Sequence, residues 1–184
     1  MRQNQCGRRS QSAIVTTVGM VCSLLFGLSI ATNAFADELP KESFLPLGLA
    51  DKMVHAALES CKKDGYRVSV SVVDRSGVLR AMGRADGAGP HTVDSSRKKA
   101  YTAASIRRPT TELADLITKV PTLQALRDMN GEILILGGGL PIEIAGEMVG
   151  GIGVGGAPGA HLDDACAQDG LDAVGAAPKV PANK

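Results

Sequence analysis

The sequence is poor in aromatic side chains and has no excess of either charge. It contains no Trp, two Tyr and three Phe in 184 residues, so the core has to be built from aliphatic side chains. The 20 basic residues are balanced by 19 acidic ones. A protein without a cationic surplus cannot neutralise many phosphates, and we therefore predict no nucleic-acid partner.

Sequence signatures of common catalytic and metal centres are also missing. The three histidines, His55, His91 and His161, have no short metal-binding spacing, so a dedicated zinc site is not expected. The sequence has no nucleophile elbow, serine triad or paired-carboxylate signature.

One long interval near the start lacks charge altogether. Arg2, Arg8 and Arg9 precede Ser10–Ala36, which contains no charged residue and has an apolar centre. It ends in Ala34-Phe35-Ala36, a small-x-small cleavage signal, followed by the charged pair Asp37-Glu38. This pattern predicts a cleaved secretory signal peptide over residues 1–36 and a periplasmic or secreted product. The apolar centre is short for a membrane span, so we expect no stable membrane anchor after cleavage.

The remaining chain has the length of one ordinary domain. We predict a polar N-terminal arm over 37–45, a domain over 46–174 and a flexible, Ala/Pro-rich tail over 175–184. Two cysteines remain after cleavage, Cys61 and Cys166. Export to an oxidising compartment permits a disulfide between them, and two buried thiols are the equal alternative.

Apolar residues at helical spacing predict the helices. The first helix extends over 46–64, and a second one, with a face of small residues, extends over 92–106. Short helices follow over 110–117 and 121–129. A last helix is expected to be capped by Asp163 or Asp164.

Strands are predicted by alternation and by short apolar runs. In 66–73, valines alternate with Arg67, Ser69 and Ser71, so one face of this strand is expected to be buried. A turn over 74–77 returns the chain into a second strand, 78–84. The remaining strands are predicted over 132–136, 142–145 and 147–155. The expected fold is α/β, with a mostly antiparallel five-stranded sheet and flanking helices.

A glycine-rich segment, 151–156, formally matches the dinucleotide-binding fingerprint. That fingerprint needs a helix opening within the motif. Here Ile152 and Val154 alternate as strand residues, and Pro158 follows before any helix. The pattern favours a strand that another backbone approaches closely, for example at a subunit contact.

His91 and a group of cations are the candidate site residues. His91 follows the flexible segment 87–90 and lies at the start of a predicted helix, whose positive end favours a neutral imidazole. Neutral imidazole is the form that binds metals; the alternative is a surface histidine. The cations that follow could receive anionic groups, or could form a solvated helix face. They are Arg97, Lys98, Lys99, Arg107 and Arg108.

Several ordered motifs together resemble one known family. They are residues 70–77, 84–88, 97–103, 137–142, 150–156 and 163–167. In this order they are similar to the GlcG/HbpS-like haem-binding family and to the C-terminal domain of PduO-type proteins. The resemblance extends over residues 46–174, nearly all of the chain that follows the signal peptide.

This resemblance implies a profilin-like fold, a homo-oligomer and haem binding, and it implies no settled enzymatic reaction. The resulting hypothesis is an exported haem-binding or haem-responsive accessory protein. His91 is then the candidate ligand of the haem iron, and Arg97 and Lys98 are the candidate partners of the haem propionates. Two alternatives are a small-molecule enzyme of the same fold acting on a cofactor or hydroxy acid, and a structural oligomer without a ligand.

Overall fold

The computed structural model describes Leu39 and residues 41–176. The predicted signal peptide and residues 177–184 of the predicted tail lie outside the described residues. Within the described part, no helix is both long and apolar enough to cross a membrane. The helices are α1 (Leu47–Lys63), α2 (His91–Ile106), α3 (Thr110–Lys119), a 3₁₀-helix (Pro121–Asp128) and α4 (Ala160–Asp172). The strands are β1 (Ser69–Asp74), β2 (Leu79–Arg84), β3 (Gly139–Ile144) and β4 (Glu147–Gly155).

The strands form one antiparallel sheet in the order β2-β1-β4-β3. Helices α1 and α4 cover one face, where Met53 and Leu171 pack with Val70, Val72 and Ile152 in an aliphatic core. Helix α2 covers the other face. The sheet therefore lies between two helical layers, which confirms the predicted antiparallel α/β arrangement.

Strand β1 is buried on both faces, which corrects the prediction of one buried face. Its serines point towards α2, and the hydroxyl of Ser69 lies 2.7 Å from that of Thr92. The hydroxyls of Ser71 and Ser96 are 2.8 Å apart in the same way. Serines alternating with valines look like a solvated face in the sequence. Here they form buried hydrogen bonds to a helix, which satisfies their polar groups.

The sheet has four strands in the described residues, and the prediction of a strand over 132–136 was wrong. Side chains bind the backbone N–H groups that a strand would have needed. Asn130 Oδ1 accepts from the N–H groups of Glu132 at 2.8 Å and Ile133 at 3.1 Å. Thr102 Oγ1 accepts from the N–H of Leu134 at 2.8 Å. Because these side-chain bonds satisfy the backbone N–H groups, the apolar run forms a turn and an irregular segment.

The disulfide, which the sequence left open, is present. Cys61 of α1 and Cys166 of α4 are bonded, with their Cα atoms 5.5 Å apart. Both are almost completely buried. Leu45, the last residue of the predicted arm, and Ala176, in the predicted tail, are also buried in the aliphatic core. The segments at both ends of the predicted domain therefore pack against the aliphatic core.

The glycines of β4 let the backbone of α2 lie directly on the sheet. A Cβ atom placed on Gly153 would overlap the carbonyl oxygen of Ser96 and lie 2.5 Å from the backbone nitrogen of Ala100. A Cβ on Gly151 would meet the carbonyl oxygen of Ala100 and the backbone nitrogen of Ala104. The predicted close backbone approach is confirmed, and the approaching backbone belongs to a helix of the same chain.

We expect Gly153→Ala to lower the free energy of unfolding by about 1–3 kcal/mol, the usual cost of overpacking a filled core. Urea unfolding followed by circular dichroism measures this loss. Gly48→Ala is the control, because Gly48 lies within α1 and a Cβ there meets nothing within 4 Å. That substitution should be neutral or stabilising by roughly 0.5–1 kcal/mol. If both variants were as stable as the parent protein, α2 would not pack on Gly153 as closely as described.

Candidate functional site

The candidate site begins at the first residue of α2, His91. The preceding turn is held by Thr92, whose hydroxyl donates to the carbonyl oxygen of Gly89 at 2.6 Å. The same hydroxyl contacts Ser69 of β1. These bonds fix the start of α2 against the sheet, and they place His91 at a defined position beside the end of β2.

The His91 side chain is exposed, and its ring lies against Gly89. A Cβ on Gly89 would lie 2.6 Å from His91 Cε1, so a larger residue at that position would displace the ring. Within residues 41–176, His91 makes no side-chain hydrogen bond or ion pair. Both ring nitrogens are therefore available to a ligand, as the sequence-based hypothesis requires.

Arg97 and Lys98 already have carboxylate partners. Arg97 contacts Glu132 in a short ion pair and Asp94 at 3.1 Å. Lys98 Nζ lies 3.1 Å from the other oxygen of Asp94. The hydrogen bond from Arg97 lowers the pKa of Glu132, and the hydrogen bond from Lys98 is the main cause that lowers the pKa of Asp94. These two cations form a surface ion-pair cluster with acidic residues of their own chain.

A cavity of about 530 Å³ lies between the C-terminal end of α1, the segment entering β1 and the end of β2. We call it the α1–β2 cavity. Arg67 and Arg84 line it, together with Asp86. From Asp86 the chain runs through residues 87–90 to His91, and Arg67 packs against Gly87 of that turn. Arg84 is paired in the sheet with Ser69, whose hydroxyl bonds the residue after His91.

A second polar cluster is fully buried and centres on Lys99. Lys99 Nζ donates to Asp163 Oδ2 at 2.8 Å and to the carbonyl oxygen of Val154 at 2.9 Å. Asp163 Oδ1 also accepts from the backbone N–H of Ala157 at 3.0 Å. Burial raises the pKa of Asp163, and the charge of Lys99 opposes that rise. The pair joins α2 to the end of β4 and to the first turn of α4.

Asp164 extends this buried cluster towards the glycine-rich segment before β3. Its Oδ1 accepts from the backbone N–H of Gly138 at 2.6 Å, and Thr111 donates to Oδ2 in a short bond. Burial is the main cause that raises the pKa of Asp164. The helix begins at Ala160, with Gly159 before it, so neither Asp163 nor Asp164 is the predicted N-cap. Both tie loops to the helix.

Sequence reasoning missed the role of Lys99, which it grouped with solvated cations. The signal was present in the helical periodicity, because Lys99 falls in the buried stripe with Ser96, Ala100 and Ala103. A lysine within such a stripe needs a buried partner. The partners are residues of a different helix and strand, and their identity follows only from the tertiary fold. Every buried side-chain polar atom in the described residues has a hydrogen-bond partner, so this cluster presents no free group.

No group of three or more His, Cys, Asp or Glu side chains is arranged to hold a metal ion within residues 41–176. A metal carried by an organic ring needs few ligands from the protein, because the ring provides most of them.

The comparisons with known proteins agree on one family. The profile of the family described as haem-degrading, HbpS-like proteins matches residues 45–172, most of the chain. Protein GlcG of Escherichia coli K12 is 31% identical over 106 residues, which cover 58% of this chain and 77% of GlcG.

Two solved structures share the fold and part of the sequence. A double mutant of HbpS from Streptomyces reticuli superposes with a TM-score of 0.69 and 43% identity, covering 74% of this chain and 90% of that one. A PduOC:haem complex superposes with a TM-score of 0.69 and 26% identity, covering 73% of this chain and 98% of that one. That relative was therefore crystallised with haem.

Proposed function

This chain belongs to the HbpS-like family, and we propose on that premise that it is an exported haem-binding or haem-responsive accessory protein. The observation that carries the proposal is His91 at the start of α2, whose exposed imidazole has no side-chain partner within residues 41–176. A relative of the same fold forms a complex with haem.

The residues around His91 fit a haem group. A neutral imidazole ligates haem iron, and the start of a helix favours the neutral form. Because the ring is exposed and free of partners in residues 41–176, it can approach iron without breaking an existing bond. Haem would supply a redox-active iron when bound. The chain would supply His91 as a ligand to the iron and cations for the propionates.

The proposal is tested by titrating the purified protein with haem and recording the Soret band. We expect a saturable Soret shift for the parent protein. His91→Ala should weaken binding roughly tenfold or more, since an iron ligand contributes more than the roughly 1.4 kcal/mol that a factor of ten represents. The Soret band of the variant should also lie at a different wavelength, because the iron has lost a ligand. Circular dichroism of the variant shows whether its fold is intact.

His161→Ala is a closely matched control. His161 is also exposed in the first turn of a helix, and its ring lies against Gly159, where a Cβ would be 2.8 Å from Cε1. His55→Ala, exposed within α1, is a second control. If His91→Ala leaves affinity and spectrum unchanged while either control loses them, the ligand assignment is wrong. Absence of a saturable Soret shift in the parent protein would overturn haem binding itself.

Haem degradation is the second candidate function, because the family description names it. The two functions are separated by following the Soret band of the bound protein in air with ascorbate as electron donor. A constant band supports a binding or sensing role, and a steady loss of the band supports degradation. The third reading, a structural oligomer, predicts no response to haem at all.

Export, oligomer formation and the profilin-like fold class belong to the same proposal. The Cys61–Cys166 disulfide supports export, since disulfides persist in oxidising compartments and are rare in the cytosol. The charge pattern of residues 1–36 supports a cleaved signal and a periplasmic or secreted product. A homo-oligomer would enclose a haem group that a single exposed histidine holds on only one side.

A further inference from the structure

Two arginines of the α1–β2 cavity have no carboxylate partner among the described residues. Arg67 makes no ion pair there, and its guanidinium packs against Gly87, where a Cβ would lie 3.1 Å from Nη1. Arg84 donates from Nε to the carbonyl oxygen of Ala88 at 3.0 Å, and its Nη2 makes a short bond to the same atom. Its Nη1 has no hydrogen-bond partner within residues 41–176.

The acidic residues of the cavity do not cancel these charges. Glu59 lies 3.5 Å from Lys62 in an ion pair, so it is already matched by a cation of its own helix. Asp86 is exposed at the cavity rim and lies beyond ion-pair distance of either arginine. One carboxylate thus faces two arginines, and the cavity keeps a positive charge.

The cavity also has apolar and aromatic lining residues. Leu58, Tyr66 and Ala85 line it, and Leu58 and Tyr66 are half-buried against the core. An aromatic ring favours stacking with another planar group. A volume of about 530 Å³ lies within the range of small-molecule pockets, roughly 300–1,000 Å³. The lining suits a molecule with a planar apolar body and carboxylate groups.

We propose that the α1–β2 cavity receives the carboxylate edge of the ligand, with Arg67 and Arg84 as its partners in place of Arg97 and Lys98. This inference rests on the proposed haem binding. Arg97 and Lys98 would have to leave Asp94 and Glu132 to reach a propionate. Arg67 and Arg84 have no carboxylate partner to release among the described residues, and both contact the turn that leads to His91. Guanidinium groups bind carboxylates through paired, charge-assisted hydrogen bonds.

The test compares haem with haem dimethyl ester, in which both carboxylates are esterified. Each is titrated in the same cosolvent against the parent protein and against Arg67→Met and Arg84→Lys. Loss of a charged hydrogen bond is expected to weaken haem binding roughly tenfold to a hundredfold. Affinity for the ester should stay within about twofold of the parent value, since the ester offers no carboxylate. Arg84→Lys keeps a donor for Ala88 and so limits damage to the turn.

Arg80→Met is the matched control, because Arg80 is exposed on the same strand as Arg84 and does not line the cavity. It should bind both ligands as the parent does. The inference is overturned if Arg67→Met and Arg84→Lys bind haem normally, or if Arg97→Met/Lys98→Met shows the carboxylate-specific loss in their place. If the parent protein binds neither ligand, haem binding and this inference both fail. If the parent protein binds haem and the arginine variants bind it with the same affinity, this inference fails and haem binding stands.

Discussion

Replacing Lys99 by Met is expected to lower the free energy of unfolding by about 3–5 kcal/mol, the usual cost of removing one partner of a buried ion pair. Lys99 and Asp163 are 2% and 3% exposed, so water cannot replace the lost cation. Met fills nearly the same volume, and the loss therefore reports charge and hydrogen bonding more than packing. Urea unfolding at pH 7 measures the effect.

The neighbouring Lys98→Met is the control for this prediction. Lys98 pairs with the exposed Asp94, and such surface pairs contribute about 0–1 kcal/mol. Lys99→Met/Asp163→Asn should be more stable than Lys99→Met alone, because it leaves no buried uncompensated charge. A loss for Lys99→Met no larger than that for Lys98→Met would mean that the buried pair does not stabilise the fold.

The stability deficit of Lys99→Met should also depend on pH. Burial already raises the pKa of Asp163, and Lys99 opposes this rise, so removing Lys99 raises that pKa further. A folded-state pKa above the unfolded value gives stability that is present at low pH and is lost as the pH rises through the folded pKa. The deficit relative to the parent should therefore shrink as the pH falls from 7 towards 4. A deficit that grows over this interval would contradict the argument.

Local signals in the sequence were sufficient for the helices and for the hairpin of β1 and β2. The helix predicted over 46–64, for example, extends over Leu47–Lys63, and Asp74 Oδ1 accepts from the N–H groups of Ser76 and Val78 in the predicted turn. The start of α2 was predicted to within one residue. His91 could be identified because a helix start is a local feature. Whether it binds iron is a separate prediction that the fold alone does not test.

The features that sequence reasoning missed depend on contacts between distant segments. Ser69 looked solvated because the covering helix begins more than twenty positions later. The apolar run 132–136 looked like a strand, and one of the bonds that replace strand pairing comes from Thr102, 32 positions before Leu134. Arg97 looked free for a ligand, and its partner Glu132 lies 35 positions away. Hydropathy periodicity indicates which face of an element is buried, and it does not indicate which other segment packs against that face.

The same limit applies to the candidate site. The sequence grouped the cations by their proximity in one helix, and the fold divides that group. Lys99 is buried with Asp163, and Arg97 and Lys98 pair with exposed acidic residues. Arg67 and Arg84 line the α1–β2 cavity and have no carboxylate partner among the described residues. Choosing cations for a ligand therefore requires knowing which cations the protein has already paired.

Removing the disulfide with Cys61→Ala/Cys166→Ala is expected to cost about 2–5 kcal/mol. The bond joins two residues that are 105 positions apart, so it closes a long loop and removes conformational freedom from the unfolded chain. It also links α1 to α4 within the aliphatic core. The two Ala side chains add a smaller loss from packing. Thermal and urea unfolding of the parent and the double variant measure the difference.

Dithiothreitol separates the cross-link from the packing. It should lower the stability of the parent protein towards that of the double variant, because reduction opens the loop in the unfolded chain. The double variant should not respond, since it has no bond between these positions. A peptide containing Cys61 linked to one containing Cys166 should be found by mass spectrometry in a non-reduced digest. Free thiols at both positions would show that the bond does not stabilise the protein in solution. The same conclusion would follow if dithiothreitol left the stability of the parent protein unchanged.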